Sequence, residues 1–264
     1  MNLGINGKVA LVVGGSRGIG RGVSDAFANA GCKVVIASIT PSSVDRAVAE
    51  MKESGAEVAG VAADCVTKKG IEQAVRFASD TFGGPDIAVF NVDSGPKGAF
   101  MDVDDETFHA AWNNNVMAFI WMCRSVVPHM RAQGWGRILT IGTNSVKQPH
   151  RALPRAAQNT ARVGALALCK TMSAELGPFG VTVNTLGTGA IDTEQLRAVF
   201  DNSVASGGKG FEAWRAERSA QIPMRRIGTP KDMGDAAAFL CSARAGFITG
   251  QVLLVDGGQI ESLQ

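Results

Sequence analysis

A glycine-rich run near the start of the chain has the residue types and spacing of a phosphate-binding turn. The apolar run Val9–Val13 is typical of a buried strand, and the segment Gly14–Gly20 follows it directly. Apolar residues then recur at helical spacing, at Ile19, Val23, Phe27 and Ala30. Glycines here allow a tight turn and a close backbone approach, and the N–H groups at the helix start can bind a pyrophosphate. We therefore predict a dinucleotide site made by Gly14, Ser16, Arg17, Gly18, Ile19 and Gly20, with an ordinary turn as the alternative.

Composition narrows the class of protein. The chain has 264 residues, of which 45% are hydrophobic and 19% are charged, as in a globular protein. A net charge of +2 argues against a general nucleic-acid binder. No apolar run has the length of a membrane span, and residues 1–8 lack a secretory pattern. Five scattered cysteines and three histidines indicate neither disulfides nor a metal site, so we expect a soluble cytoplasmic protein.

Strand-like and helical patterns alternate along most of the chain. Further strands are predicted at 33–37, 57–63, 86–91, 137–141, 181–185 and Val252–Val255. A long helical stretch is predicted over about 104–132, and another helix over about 156–176. This alternation predicts an α/β fold: a single Rossmann-type, doubly wound domain over 1–264, with a parallel sheet and helices on both faces.

One region, about 187–228, interrupts the alternation with polar, glycine-containing sequence and the pattern of two short helices. Ligands of doubly wound sheets bind beyond the carboxyl ends of the strands, where such an excursion would lie. We predict that 187–228 is a substrate lid, and a plain surface insertion is the alternative.

Several short segments in fixed order carry a family resemblance. They are Gly14–Gly20, Asn91, Asn115 followed by Pro128, 136–138, 181–184, 226–230, 248–251 and 255–258. Together they resemble the short-chain dehydrogenase/reductase family over nearly the whole chain. The resemblance implies a seven-stranded parallel sheet, a nicotinamide cofactor bound partly by Asn91, and a homotetramer.

The end of the second predicted strand bears on which nicotinamide cofactor is bound. An acidic residue there would bind the ribose 2′-hydroxyl of NAD and repel a 2′-phosphate. This chain has Ser38 with no carboxylate nearby, and Arg17 could pair with the phosphate. NADP(H) is therefore favoured over NAD(H). By resemblance Asp64 contacts adenine and Thr193 the nicotinamide carboxamide, with roles as a helix N-cap or loop polar residue as alternatives.

The family's usual proton donor is missing. Its chemistry normally rests on a tyrosine and a lysine four residues apart on one helix, whereas this chain contains no tyrosine. Alignment on Gly164 and 170–175 places Gln158 at the tyrosine position and Arg162 at the lysine position. A carboxamide has no proton to release, and an arginine held in its charged form is a poor proton shuttle. Arg162 could still hold the ribose hydroxyls of the nicotinamide.

Other groups could take over part of the chemistry. The resemblance gives Ser145, or its rival Thr143, the role of orienting the substrate carbonyl, while a strand-end cap is the alternative. Asn115 matches the asparagine that holds a water in the family's proton path. His150 and Asp93 are candidates for a displaced acid, although a solvated loop histidine and a turn aspartate are the simpler interpretations.

The charge pattern near this site is compatible with an anionic substrate. Residues 143–174 include no acid but five bases, Lys147, Arg151, Arg155, Arg162 and Lys170. A basic wall suits a carboxylate, phosphate or acyl-carrier substrate, and a solvated or subunit-facing surface is the alternative. We expect an NADP(H)-dependent oxidoreductase acting on a small carbonyl or alcohol through a non-standard proton relay. The alternatives are a nicotinamide-binding sensor or partner subunit without redox turnover, and non-redox chemistry in which Arg162 stabilises an anion.

Overall fold

Apolar strands line up side by side in one parallel sheet. The computed structural model describes residues 2–92, 95, 97–149, 154–205 and 208–262, without the side chains at 199, 202, 203 and 205. The strands are β1 (Val9–Val13), β2 (Lys33–Ser38), β3 (Val58–Ala62), β4 (Ile87–Phe90), β5 (Gly136–Thr143), β6 (Val181–Thr188) and β7 (Val252–Val255). Their order is β3-β2-β1-β4-β5-β6-β7, and every neighbouring pair is parallel. The predicted doubly wound α/β fold is confirmed.

Helices cover both faces of the sheet. They are α1 (Gly18–Asn29), α2 (Pro41–Glu53), α3 (Lys68–Phe82), α4 (Asp105–Trp112), α5 (Ala118–Gln133), α6 (Ala156–Leu176), α7 (Glu194–Ala205), α8 (Phe211–Gln221) and α9 (Pro230–Leu240). Side chains alternate along β1, so that Leu11 and Val13 join one core and Ala10 and Val12 join the other. The first core includes residues of α3, α5 and α6, and the second includes residues of α1, α2 and α9. Both faces are buried, which explains the continuous apolar runs in the sequence.

The strand order reverses between β1 and β4. Crossovers from β1 lead outward to β2 and β3, and the chain then returns to β4 on the other side of β1. A crevice forms at the carboxyl ends of two such strands and is the usual ligand site of this architecture. Gly14 follows β1 and Asn91 follows β4, so both residues lie at this point.

The structure corrects three predicted boundaries. The helical stretch at 104–132 is divided by a π-helical turn over Asn113–Met117, which separates α4 from α5. β5 extends to Thr143 and β6 to Thr188, because glycine and threonine continue the ladder beyond the predicted ends. Residues 187–188 are therefore strand, and the excursion begins after them with α7 and α8. No helix in the described ranges is both long and apolar enough to cross a membrane.

Candidate active site

The glycine turn after β1 has a backbone path that larger residues cannot follow. Gly14 has a left-handed φ of +71°, and its N–H donates to the Ala37 carbonyl at 2.7 Å. A Cβ on Gly14 would lie 1.8 Å from the Asn91 carbonyl oxygen, and one on Gly20 would lie 1.9 Å from the Gly14 carbonyl oxygen. The Ser24 hydroxyl of α1 donates to the Gly15 carbonyl at 3.1 Å and fixes the turn to α1. Glycine is therefore required at both positions.

The first turn of α1 can accept an anion. Arg17 is the N-cap residue, its side chain is exposed, and it makes no capping hydrogen bond. The first turn of α1 carries no acidic residue. Its N–H groups and the positive end of the helix dipole therefore suit a phosphate. Ser16 is buried in the turn. The Ile19 side chain packs against the core, so Ile19 can contact a ligand only through its backbone.

Two more predicted cofactor residues lie against this turn. The Asn91 Nδ2 donates to the Gly14 carbonyl at 3.2 Å and ties the end of β4 to the turn. A Cβ on Gly18 would lie 3.4 Å from the Thr193 Cγ2, so the region after β6 also reaches the turn. The Thr193 hydroxyl accepts from the Leu196 N–H at 3.2 Å, which is the N-cap role considered as an alternative.

Ser38 and Asp64 lie at the carboxyl ends of neighbouring strands. Ser38 pairs with Ala62 in the β2–β3 ladder, and Asp64 follows two residues after Ala62. The Ser38 hydroxyl is buried without a hydrogen-bond partner in the described part of the chain. Asp64 accepts from the Val66 N–H at 3.3 Å through Oδ1. A polar but uncharged group therefore ends β2, which fits a ribose that carries a 2′-phosphate better than a carboxylate would.

The end of β5 presents the two rival hydroxyls differently. Thr143 is the N-cap of a 3-10 turn over Asn144–Val146, and its Oγ1 accepts from the Ser145 N–H at 3.3 Å. Thr143 and Ser145 are 5% and 6% exposed. Because Thr143 already serves as a cap, Ser145 is the better candidate for a hydroxyl that meets a substrate.

Gln158 is tied to the loop that follows β4. Its side chain is buried, and Nε2 donates to the Gly95 carbonyl at 2.5 Å. The Ala156 N–H donates to the Gly98 carbonyl at 3.2 Å, and Gly98 and Arg155 form a parallel bridge. The loop is therefore held against the start of α6 at two points. Sequence reasoning missed this contact because a side chain bonded to a loop carbonyl leaves no periodic pattern.

Asn115 and Arg162 line the same small cavity beneath this site. The Asn115 Nδ2 donates to the Ala111 carbonyl at 2.8 Å within the π-helical turn. Thr140 of β5 and Thr185 of β6 are paired in register and also line the cavity, which has room for about one water molecule. Sequence reasoning missed the two threonines, although hydroxyl residues inside otherwise apolar strands were a usable signal. Asn115, Arg162 and these hydroxyls could together hold one water.

The remaining basic and acidic candidates are placed differently. Lys147 is exposed, and the Lys170 Nζ lies 3.5 Å from the Gly250 carbonyl. Gly250 lies just before β7, so Lys170 is near the amino ends of the strands, whereas the cleft is at their carboxyl ends. The predicted place of Lys170 in a basic wall beside the cleft is therefore wrong. Asp93, His150 and Arg151 lie outside the described residues.

Two buried cysteines, Cys65 and Cys169, keep their thiols protonated. Burial raises the pKa of Cys169 to about 11 and that of Cys65 to about 12, so neither thiol ionises near neutral pH. In the part of the chain that the structure describes, no three histidine, cysteine or acidic side chains gather as a metal-binding group.

The family follows from comparison with known proteins. The sequence model of the enoyl-(acyl carrier protein) reductase family matches residues 13–259, nearly the whole chain. The chain belongs to the short-chain dehydrogenase/reductase family. The relatives that match the chain are dehydrogenases and reductases, and the predicted membership is confirmed.

Similar proteins in this family include both dehydrogenases and reductases. The chain is 30% identical to 7alpha-hydroxysteroid dehydrogenase of Escherichia coli over 99% of this chain and 98% of that protein. It is 32% identical to 3-oxoacyl-[acyl-carrier-protein] reductase of Vibrio cholerae over 97% of this chain and 98% of the relative. Its structure is similar to that of L-sorbose reductase from Gluconobacter frateurii complexed with NADPH and L-sorbose. That TM-score is 0.94, at 29% identity and full coverage of both chains.

Proposed function

We propose that this short-chain dehydrogenase/reductase is an NADP(H)-dependent enzyme that interconverts a small carbonyl compound and its alcohol. The observation that carries the proposal is the glycine turn at the β1–β4 switch point, which Asn91 holds beside an uncapped helix start. The similar L-sorbose reductase structure contains NADPH, which supports the nicotinamide cofactor.

The residues present fit NADP(H) better than NAD(H). The buried Ser38 hydroxyl lacks a partner in the described chain, and no carboxylate stands at its position to repel a 2′-phosphate. Arg17 is exposed at the start of α1 and can pair with a phosphate. Gly14, Ser16, Gly18, Ile19 and Gly20 would bind the pyrophosphate through backbone groups, while Asp64, Asn91, Thr193 and Arg162 would hold adenosine and nicotinamide.

The chain's own residues then have defined tasks. The bound cofactor supplies or accepts the hydride. Ser145 donates a hydrogen bond to the substrate carbonyl oxygen, and the second N–H of Gln158 can donate another. Gln158 orients but releases no proton, so we assign the proton to a bound water. Asn115 and Arg162 would hold that water in the cavity between them.

The other features of the proposal concern the whole chain. We infer one domain with a substrate lid that begins after β6 and ends at about residue 228, a cytoplasmic location, and assembly into a homotetramer. An acid group on the substrate would suit the bases that remain near the cleft, Arg155 and Arg162.

One observation favours a second function, cofactor binding without turnover. The Gln158 carboxamide already donates to Gly95, and no tyrosine is available anywhere in the sequence. A sensor or a partner subunit needs the glycine turn but no proton donor.

Single-turnover kinetics test the proposed function. With protein in excess over NADPH, the absorbance of the reduced nicotinamide should fall when a suitable ketose, oxo acid or 3-oxoacyl thioester is added. Gly20→Ala should weaken NADPH binding at least about tenfold, because its Cβ would collide with the Gly14 carbonyl. Gly177→Ala is the matched control, since its Cβ would have no neighbour within 4 Å. Tight NADPH binding with no oxidation by any compound would contradict the enzyme and favour the binding protein.

A further inference from the structure

The segment after β7 contacts two parts of the molecule that the proposed function uses. We call residues 256–262 the strap. The Gly189 N–H, at the start of the excursion after β6, donates to the Val255 carbonyl at 3.1 Å, directly before the strap. Near the end of the excursion, the Met224 N–H donates to the Gly257 carbonyl at 3.2 Å. The strap therefore begins where both ends of the proposed lid meet the sheet.

The contact between the strap and the proposed lid is close. Gly257 and Gly258 have left-handed φ angles of +68° and +83°. A Cβ on Gly257 would lie 2.7 Å from the Ile222 Cγ2, and one on Gly258 would lie 3.4 Å from the Pro223 Cγ. Ile222 is 2% exposed and belongs to the apolar cluster of the lid. Movement of the lid at Ile222 therefore displaces the strap, because closely packed atoms cannot move independently.

Asp256 fixes the path of the strap. Its Oδ1 accepts from the Gly258 N–H at 3.0 Å, and its Oδ2 accepts from the Ile260 N–H at 3.1 Å. The Gln259 N–H also donates to the Asp256 carbonyl at 3.3 Å. Both carboxylate oxygens are thus used within the strap, and charge-assisted bonds of this kind are stronger than neutral ones. They fold the strap into a turn that leads away from the lid.

The far end of the strap meets the turn that carries Ser145. The Glu261 N–H donates to the Gln148 Oε1 at 3.3 Å. The Gln148 N–H donates in turn to the carbonyl of Asn144, the residue directly before Ser145, at 3.2 Å. Gln148 and Glu261 are both exposed, so their hydrogen bond adds little to the stability of the whole protein. Its consequence is local, because it acts on the turn whose hydroxyl is proposed to meet the substrate.

We propose that Asp256 and Gln148 are positioning residues, which couple the lid to Ser145 through the strap. With the lid in its observed place, the strap holds Gln148 and sets the Ser145 hydroxyl for the substrate carbonyl. When the lid moves to admit or release a substrate, Gly257 moves with it, and the Ser145 turn loses its support from Glu261. The site is then complete only when it is covered. The inference rests on the proposed function for the roles of the lid and Ser145, but the coupling is measured without turnover.

Hydrogen exchange of the full chain, followed by mass spectrometry, tests the coupling. Asp256→Asn removes an acceptor from the strap, because an amide nitrogen cannot accept from an N–H. We expect exchange to accelerate at least about tenfold in the peptides that contain Met224 and Gln148, which the strap contacts at its two ends. The peptide that contains β1 should exchange as in the unaltered chain. Asp80→Asn, at an exposed position on α3, is the matched control and should change neither end.

A second variant separates the two ends of the strap. Gln148→Met keeps the length of the side chain but removes the acceptor for the Glu261 N–H, whereas Gln148→Glu keeps an acceptor. Gln148→Met should accelerate exchange at residues 145–148 and at Glu261. It should leave the Met224 amide protected, because the turn of the strap still holds the lid. Gln148→Glu should exchange like the unaltered chain, as should the control Gln133→Met at the exposed end of α5.

With a substrate, the same variants add a kinetic measurement. Gln148→Met should lower kcat about tenfold and leave the Kd of NADPH unchanged, since only the carbonyl group loses its orientation. Gln148→Glu should restore kcat. The inference is overturned if Asp256→Asn accelerates exchange at one end or at neither, or equally throughout the chain, as a purely structural role would. Absence of NADPH oxidation by the unaltered protein would contradict the proposed function and leave the exchange result intact.

Discussion

At the scale of single residues, Gln158 is the side chain that bears on whether the protein transfers a proton or only binds a cofactor. Gln158 is 5% exposed and donates to Gly95, so it can fix the loop after β4 and orient a carbonyl group. A phenol at this position could release a proton, and an adjacent lysine could lower its pKa. A carboxamide with an adjacent guanidinium can do neither. Any turnover by this chain must therefore draw its proton from another group, and we propose that this group is water.

Restoring the family's usual pair should show which function the present residues perform. In the double variant Gln158→Tyr with Arg162→Lys, we expect carbonyl reduction to accelerate by about 100-fold, which is typical of general acid catalysis. Stopped-flow oxidation of NADPH with a saturating carbonyl substrate measures the rate. Gln158→Phe with Arg162→Lys supplies the ring without the hydroxyl and should give no acceleration.

If only the variant with Gln158→Tyr and Arg162→Lys turns over, the natural chain is a cofactor-binding protein. If the natural chain is already as fast, the water-fed relay is sufficient. Equal rates in the tyrosine and phenylalanine variants would contradict the placing of Gln158 at the proton-donor position.

At the scale of elements, the excursion after β6 is a closed unit. Its two ends pair with each other, since the Gly228 N–H donates to the Ala190 carbonyl and the Asp192 N–H donates to the Gly228 carbonyl, both at 2.9 Å. It has its own apolar cluster, which includes Phe211, Ile222 and Ile227. Such a segment can move as one body, as the proposed lid requires.

The end of this unit is anchored by a capping box at the start of α9. The Asp232 carboxylate accepts from the Thr229 N–H at 2.7 Å, and the Arg226 guanidinium forms two hydrogen bonds to it at 2.8 Å. These contacts, the Arg226 bond first, hold the pKa of Asp232 well below its usual range. Because the folded pKa is lowered, the stabilisation is complete above the unfolded pKa of about 4 and is lost as the pH falls below it.

We therefore expect Asp232→Asn to lower the free energy of unfolding by about 1 kcal/mol at pH 7, a modest value because water screens the partly exposed pair. At pH 3 the difference from the unaltered chain should be smaller, since part of the wild-type contribution is then lost. Urea unfolding at the two pH values measures both effects. Asp235→Asn on the same helix removes only the exposed pair with Lys231 and should cost less. An equal loss at both pH values would contradict the ion-pair explanation.

The sequence predicted the elements better than their ends and contacts. Val9–Val13 and Val252–Val255 match the observed strands, because both are continuous apolar runs. The ends of β5 and β6 are polar, so hydrophobic pattern could not reveal them. The π-helical turn at Asn113–Met117 keeps a helical composition and so escaped detection. The tether from Gln158 to Gly95 depends on tertiary placement, which spacing alone does not encode.

At the scale of the whole molecule, the sheet leaves one apolar edge uncovered. Among the strands that the structure describes, β7 pairs only with β6, and Leu253 on this strand is exposed. Phe247, which precedes β7, and Phe239 of α9 are also exposed, and α9 packs against β7. Apolar side chains beside an open strand edge mark an association surface, because an unprotected edge would otherwise promote aggregation.

We therefore predict that copies of the chain meet at this edge, which is consistent with the homotetramer that the family resemblance implies. Sedimentation velocity of the unaltered protein should give about four times the chain mass of 27.5 kDa. Leu253→Arg should lower that mass at micromolar concentration, because it places charges opposite one another across a symmetric interface. Met101→Arg, at an exposed apolar position in the loop after β4, is the matched control and should leave the mass unchanged. A monomeric unaltered protein, or equal dissociation by both substitutions, would contradict assembly through β7.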